Sequence, residues 1–171
     1  MPRLRDLLRG LFRSSGPRPR PTPATSPDRG ERSSPGRSGR YATADARRVA
    51  KVRLSYAPNS NGDPDPGEIV WTWVPYEEHD GRGKDRPVLV VAREPAGTLL
   101  AVQLSSQHHD GDPAWVAVGT GAWDGEHRPS WADTSRVLRV HAEGVRREAS
   151  ALSRSSFDLV IAALRERHGW V

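Results

Sequence analysis

Between residues 69 and 106 the chain passes through three apolar stretches of strand length, separated by polar or Gly/Pro-containing segments. Ile69, Trp71 and Trp73 alternate with Val70, Thr72 and Val74; RPVLVVAR follows at 86–93 and TLLAVQLSS at 98–106. Extended backbone turns successive side chains to opposite faces, and β-branched and aromatic residues suit such a surface, so each stretch is expected to be a strand. A polar loop, Glu77–Asp85, separates the first two. Glu94-Pro95-Ala96-Gly97 is a turn, which makes the third stretch the antiparallel partner of the second. WVAVG at 115–119, TSRVLRVHA at 134–142 and a short piece near Val145–Ala149 add further strands. Many short strands at close spacing restrict the fold to a small, mainly β barrel or sandwich. The period changes only near the C-terminus. Phe157, Val160, Ile161 and Leu164 form one helical stripe, with Ser153 or Ser155 as N-cap. All six tryptophans lie within residues 71–171, which locates the core.

The first 66 residues have a different character. Residues 1–40 are basic, and from 13 to 40 they are built mainly from Ser, Pro, Gly, Arg and Thr, with PRPRPTPATSP at 17–27, and lack apolar periodicity. Burial cannot offset the entropy of ordering such a segment, so a disordered basic tail is expected. Leu4, Leu7, Leu8 and Leu11 fall at helical spacing among arginines, but isolated helices under ~12–15 residues are marginal. Residues 41–66 are expected to hold a short helix, with Thr43 as N-cap and Ala46, Val49 and Ala50 along it, followed by a turn-rich linker. In that linker Asn61, Asp63 and Asp65 imitate calcium-loop spacing. Pro66 stands where such a loop needs glycine and Thr72 where it needs a bidentate Glu. The barrel domain is then 67–171.

Charge divides at the same place. Residues 1–50 carry 12 arginines against four acids, whereas residues 51–171 carry 14 basic and 17 acidic side chains. A tail of +8 therefore conceals a remainder of −3 within the net charge of +5. Nucleic-acid binding by the folded part must rest on where its arginines sit. The chain has no cysteine, which removes disulfides and thiolate metal sites and favours a reducing compartment. No apolar run approaches the ~20 residues that span a bilayer, and MPRLRDLLRGLF is too charged for a secretory leader. The expectation is a cytoplasmic protein without stable membrane insertion.

Standard catalytic motifs are missing: the sequence has no GxSxG elbow and no phosphate-binding glycine loop after a strand. His108, His109, Asp110 and Asp112 sit close together, but adjacent loop residues rarely converge on one ion without a further ligand. No helical HExxH pair supplies one, so no metal and no cofactor is expected. Arg86 stands at the mouth of an apolar strand with its guanidinium toward a polar loop. A planar, permanently charged fork there suits a phosphate. On the residues alone, a surface ion pair with Asp85 or Glu78 is the simpler account. Ser105 and Ser106 end the partner strand, where a hairpin could bring them near Arg86 or where they could simply bond backbone.

GEIVWTWVPY at 67–76, RGKDRPVLVV at 82–91, LSSQ at 104–107 and DTSRVLRV at 133–140 follow one another in the order and spacing of the PemK/MazF toxins. Over roughly residues 67–165 the chain resembles that family. The resemblance implies an SH3-like barrel with a C-terminal helix and, as a rule, a homodimer with single-stranded RNA bound across it. It implies the toxin half of a type II toxin–antitoxin pair, a growth inhibitor acting as an endoribonuclease on mRNA without metal. A cognate antitoxin protein would lay its extended tail in the RNA groove, and the complex would bind promoter DNA mainly through that antitoxin.

The family's catalytic arginine falls on Arg86, and its catalytic threonine, two residues before the glutamine, falls on Ser105. Ser106, Gln107, His108 and His109 become accessory candidates, and Arg82, Lys84 and Arg136 candidate RNA contacts. The implied reaction is attack of a ribose 2′-hydroxyl on the neighbouring phosphorus, leaving a 2′,3′-cyclic phosphate and a 5′-hydroxyl. Arg86 would hold the charge growing on the phosphate oxygens, and a histidine could move protons near neutrality. The alternative is a catalytically silent SH3-like barrel that binds a protein or nucleic-acid partner.

Overall fold

The computed structural model describes residues 44–46, 49, 52, 54–59, 63–78 and 80–170. The basic tail, with its leucine stretch at 4–11, lies outside the described residues, as do Thr43, Ala50, Asn61 and His79. The elements in chain order are β1 (Ala44–Asp45), β2 (Glu68–Pro75), β3 (Gly83–Arg93), β4 (Leu99–Ser105), β5 (Trp115–Gly119), β6 (Ser130–Asp133), β7 (Leu138–Val140), a 3-10 turn (Ala142–Gly144), β8 (Val145–Ala151) and α1 (Arg154–His168). The pairing order is β1-β7-β4-β3-β2-β8, and every pairing is antiparallel. β4 also pairs with β6 through Leu104 and Ser105, and β6 carries β5. The result is a curled antiparallel sheet, a half-barrel with one C-terminal helix, the mainly β class that the strand pattern implies.

The long central strands read as nearly continuous apolar runs because both faces of the sheet are covered. On one face Val70, Val74, Val88, Val90, Leu99, Ala101, Leu138 and Val140 meet one another. On the other, Ile69, Leu89, Val91, Leu100, Val102 and Leu104 pack against Phe157, Val160, Ile161 and Leu164 of α1. Full burial of such side chains contributes ~1.5–3 kcal/mol each, which makes α1 part of the core. Ser153 is its cap, accepting from the Ser156 N–H at 3.2 Å, and Gly169 closes it in the left-handed conformation at φ 65°.

Three local features differ from expectation. β3 begins at Gly83, inside the segment expected as a polar loop. A Cβ on Gly83 would lie 2.5 Å from the Trp73 ring, so the bare glycine lets the strand run beneath that indole and pair onward with β2. β6 went unforeseen because SWAD has no alternation; all four residues are buried. Where a short helix was expected, Ala44 and Asp45 instead pair with Arg139 and Leu138. The open edge of β7 offers backbone partners that a short isolated helix cannot match. Val52 is buried, and Ala46, Val49, Leu54 and Tyr56 pack against the same core. Tyr56 donates its hydroxyl to the Leu152 carbonyl at 2.8 Å. Among the described residues no helix is long and apolar enough to cross a membrane.

Candidate active site

The alternation of β3 separates two neighbouring charges. Asp85 is buried on one face and holds Arg146 of β8 at 2.8 Å. Arg86 points the other way, opposite Thr72 of β2. The surface pair that the sequence allowed between Arg86 and Asp85 therefore does not form. Among the described residues, no hydrogen-bond acceptor or carboxylate engages the Arg86 guanidinium. A permanently charged fork, half-buried at its base, is left available.

β3 and β4 pair with Val88 opposite Gln103. That is the last pair of the ladder at this end; Arg86 and Ser105 each stand two residues beyond it, on the two strands. Ser105 in turn lies opposite Trp131 of β6. Its hydroxyl oxygen accepts from the Gln107 N–H at 3.1 Å and lies 3.3 Å from Nε2 of His109. The His109 ring stacks on Trp115 of β5, with centroids 3.7 Å apart and planes 5° from parallel, and meets Trp131 edge-on at 6.3 Å.

The rest of the 106–112 loop is pinned around these rings. Trp131 donates its indole N–H to Asp110 at 3.0 Å, and the same carboxylate is 3.3 Å from His108 Nε2. The His108 ring stands edge-on to Trp131 at 5.3 Å. Asp112 turns back to accept from the Ala114 N–H at 2.9 Å. These carboxylates are occupied within the loop, and among the described residues no three His, Asp or Glu side chains gather as a metal set. One rung inward, Gln103 donates to Asp133 at 3.0 Å, and Asp133 also accepts from Ser135. This buried network stiffens the ends of β4 and β6 beneath Ser105.

The remaining candidates stand apart. Ser106 and Gln107 are exposed at the loop. Arg82, on the β2–β3 hairpin, is exposed and paired with Asp80, whose carboxyl is held below its ordinary value chiefly by the Arg82 backbone N–H and then by its guanidinium. Lys84 lies on β3 opposite Val74. Arg136 is only 10% exposed and is committed to structure: it donates to Asp45 at 2.6 Å and to the Pro75 carbonyl at 2.8 Å. It ties β1 to the end of β2 and is turned inward, away from solvent.

Sequence reasoning missed Trp115 and Trp131. Their only signal was an aromatic residue at the start of a strand and another within an unrecognised one. Their importance comes from β5 and β6 folding over the end of β4.

The fold and site define a small curled β-sheet protein with an arginine that no described residue pairs and, at the end of β4, a hydroxyl and an imidazole beside two indoles. The chain belongs to the family of PemK-like, MazF-like toxins of type II toxin–antitoxin systems, whose model matches residues 65–167. Among solved structures it is similar to an endoribonuclease in complex with its cognate antitoxin from a mycobacterial species. That match has 16% identity and a TM-score of 0.47, and covers 62% of this chain and 95% of that one. It is also similar to MazE–MazF from Deinococcus radiodurans, with 21% identity and a TM-score of 0.44, covering 63% and 97%. The Mycobacterium tuberculosis toxin MazF-mt6 has 15% identity and a TM-score of 0.42, covering 60% and 98%. No curated protein matches the chain.

Proposed function

We propose that this toxin-family chain is an endoribonuclease that cuts single-stranded RNA by metal-independent transesterification. The observation that carries the reading is Arg86: among the described residues nothing pairs with its guanidinium, and it stands two residues beyond the last β3–β4 pair, as Ser105 does on the partner strand. Arg146 and Arg139, by contrast, are each held by a carboxylate. The roles follow from the donors. Arg86 offers parallel N–H groups to two non-bridging phosphate oxygens and holds the charge that grows there during attack of the 2′-hydroxyl. Its proton is held too tightly for general-base duty at neutral pH. Ser105 donates to or orients the same phosphate. Trp115 and Trp131 back the His109 ring beside Ser105.

Family membership supports the wider setting of this proposal. The chain would inhibit growth by cutting mRNA in the cytoplasm, act as a homodimer, and be neutralised by a cognate antitoxin whose extended tail covers the RNA groove. Promoter DNA would be bound by the toxin–antitoxin complex. Arg82 and Lys84, on the hairpin and strand leading to Arg86, would contact RNA, while Arg136 would contribute by holding Pro75 at the base of that hairpin.

The test is cleavage of a single-stranded RNA by the purified full chain, with and without EDTA. The expected products carry 2′,3′-cyclic phosphate and 5′-hydroxyl ends, at a rate that the chelator leaves unchanged. A chelator-sensitive activity leaving 5′-phosphates would overturn the mechanism.

A further inference from the structure

Cleavage by an internal 2′-hydroxyl needs a group to take that hydroxyl's proton, and neither Arg86 nor Ser105 suits the task near neutrality. An arginine stays protonated and a serine hydroxyl is too weak a base. The structure sets one imidazole against the same spot. His109 Nε2 lies 3.3 Å from Ser105 Oγ, and the ring is held flat on Trp115. Stacking over its whole face with centroids 3.7 Å apart leaves the ring little freedom to tilt, so the direction of its nitrogen is set before any substrate arrives. Ser105 Oγ already accepts from the Gln107 N–H, so its own proton is free to point at Nε2 when the imidazole is neutral. A ribose hydroxyl sharing that position would meet a ready acceptor.

Resting on the endoribonuclease reading, we propose that His109 is the catalytic proton acceptor for the attacking 2′-hydroxyl, with Trp115 as its positioning residue. The 2′-oxygen forms a bond to phosphorus as its proton passes to Nε2. The bond from phosphorus to the 5′-oxygen breaks, and that oxygen takes a proton from water. The hydroxide left behind removes the proton from the imidazolium and restores the neutral ring. His108 is excluded from the role by its place: it is exposed and turned to Asp110 and the Trp131 edge. The titratable groups of its own loop are His108, Asp110 and Asp112, and β3 carries Arg86. Asp133 of β6 is tied to Gln103 and Ser135, and Arg167 of α1 donates to the Pro113 carbonyl. β5 and β6 otherwise present indoles to the ring.

The experiment measures single-turnover cleavage of a single-stranded RNA by the full chain across pH, in parent, His109→Gln and His109→Gly. The parent is expected to show an acid limb of unit slope, where protonation of one imidazole removes the base. His109→Gln should cut about 100-fold more slowly or worse, and without that limb. Added imidazole should restore activity to His109→Gly in proportion to its neutral fraction, by occupying the slot against Trp115, and should do nothing for Arg86→Ala. A parent profile without the limb overturns the proposal even if a variant fails to fold. So does a folded His109→Gln that cuts as the parent does, or a folded His109→Gly that imidazole leaves unchanged. These results would leave the endoribonuclease reading intact. A parent chain that cuts no RNA overturns both.

Discussion

Arg86 and Asp85 are adjacent in the chain and opposite in fate. Asp85 is taken by Arg146 on one face of β3, and Arg86 is left open on the other. Arg86→Lys tests what the open face is for, because it keeps the charge and removes the planar fork. If Arg86 only attracted RNA, lysine would serve almost as well. If it grips two oxygens of the scissile phosphate, an ammonium cannot reproduce the geometry, and loss of such a donor set costs ~10²–10³ in rate. Both Arg86→Lys and Arg86→Ala are therefore expected to abolish growth inhibition while thermal unfolding stays close to that of the parent. A lysine variant as toxic as the parent, beside an inactive alanine variant, would reduce Arg86 to a general electrostatic contact.

Between elements, the turn from β3 to β4 is tied to β7 by Glu94. Arg139 reaches it with two nitrogens, each 2.8 Å from a carboxylate oxygen, and the Thr98 hydroxyl adds a third donor at 2.6 Å. The Arg139 bonds are the main reason the Glu94 carboxyl titrates below its ordinary value of 4.5. A carboxylate depressed in the folded state contributes stability that is fully present above the ordinary value and is lost as pH falls through the folded one. Glu94→Gln is thus expected to cost about 1 kcal/mol at pH 7, the upper end for a partly exposed pair. The gap between parent and variant in urea unfolding should narrow as pH drops below 4.5. A gap constant from pH 7 to pH 3 would show that the carboxylate's charge is not what holds the turn. The turn itself was legible as Glu94–Gly97. Its anchor was not, because pairing Leu100 with Arg139 places β7 beside β4 across a long stretch of intervening chain.

For the whole molecule, the expected boundary between basic tail and folded unit lies ahead of Val52 and Tyr56 and not at residue 67. Val52 is 8% exposed within the main core, and Tyr56 packs on Phe157 at 5.2 Å while covering Gly67. A chain of residues 41–171 is expected to unfold cooperatively near the parent's temperature. One of residues 67–171 should lose at least ~3 kcal/mol from the missing valine, leucine and tyrosine. Equal stability of the two would show that the N-terminal contacts add nothing. The 41–171 chain should also bind single-stranded RNA with a shallower dependence on salt, because each tail arginine that meets a phosphate releases a counterion. An unchanged slope would place all the phosphate contacts on the barrel.

The mainly β class, most of the strands and the C-terminal helix with its Ser153 cap were legible in the residues. Those signals are local: alternation, turn residues and a 3.6-residue stripe lie within a few residues of one another. The sequence also singled out Arg86, through the segment that begins an apolar strand. What surrounds that arginine depends on contacts between distant segments. The folding of β5 and β6 over the end of β4 brought Trp115 and Trp131 to His109. The same packing turned Arg136 inward to Asp45 and made Ala46, Val49, Val52, Leu54 and Tyr56 part of the core's cover. Pairings between distant segments leave almost no trace in the residues that make them, because an Arg or Trp reads alike whether its partner is water, a carboxylate or another ring.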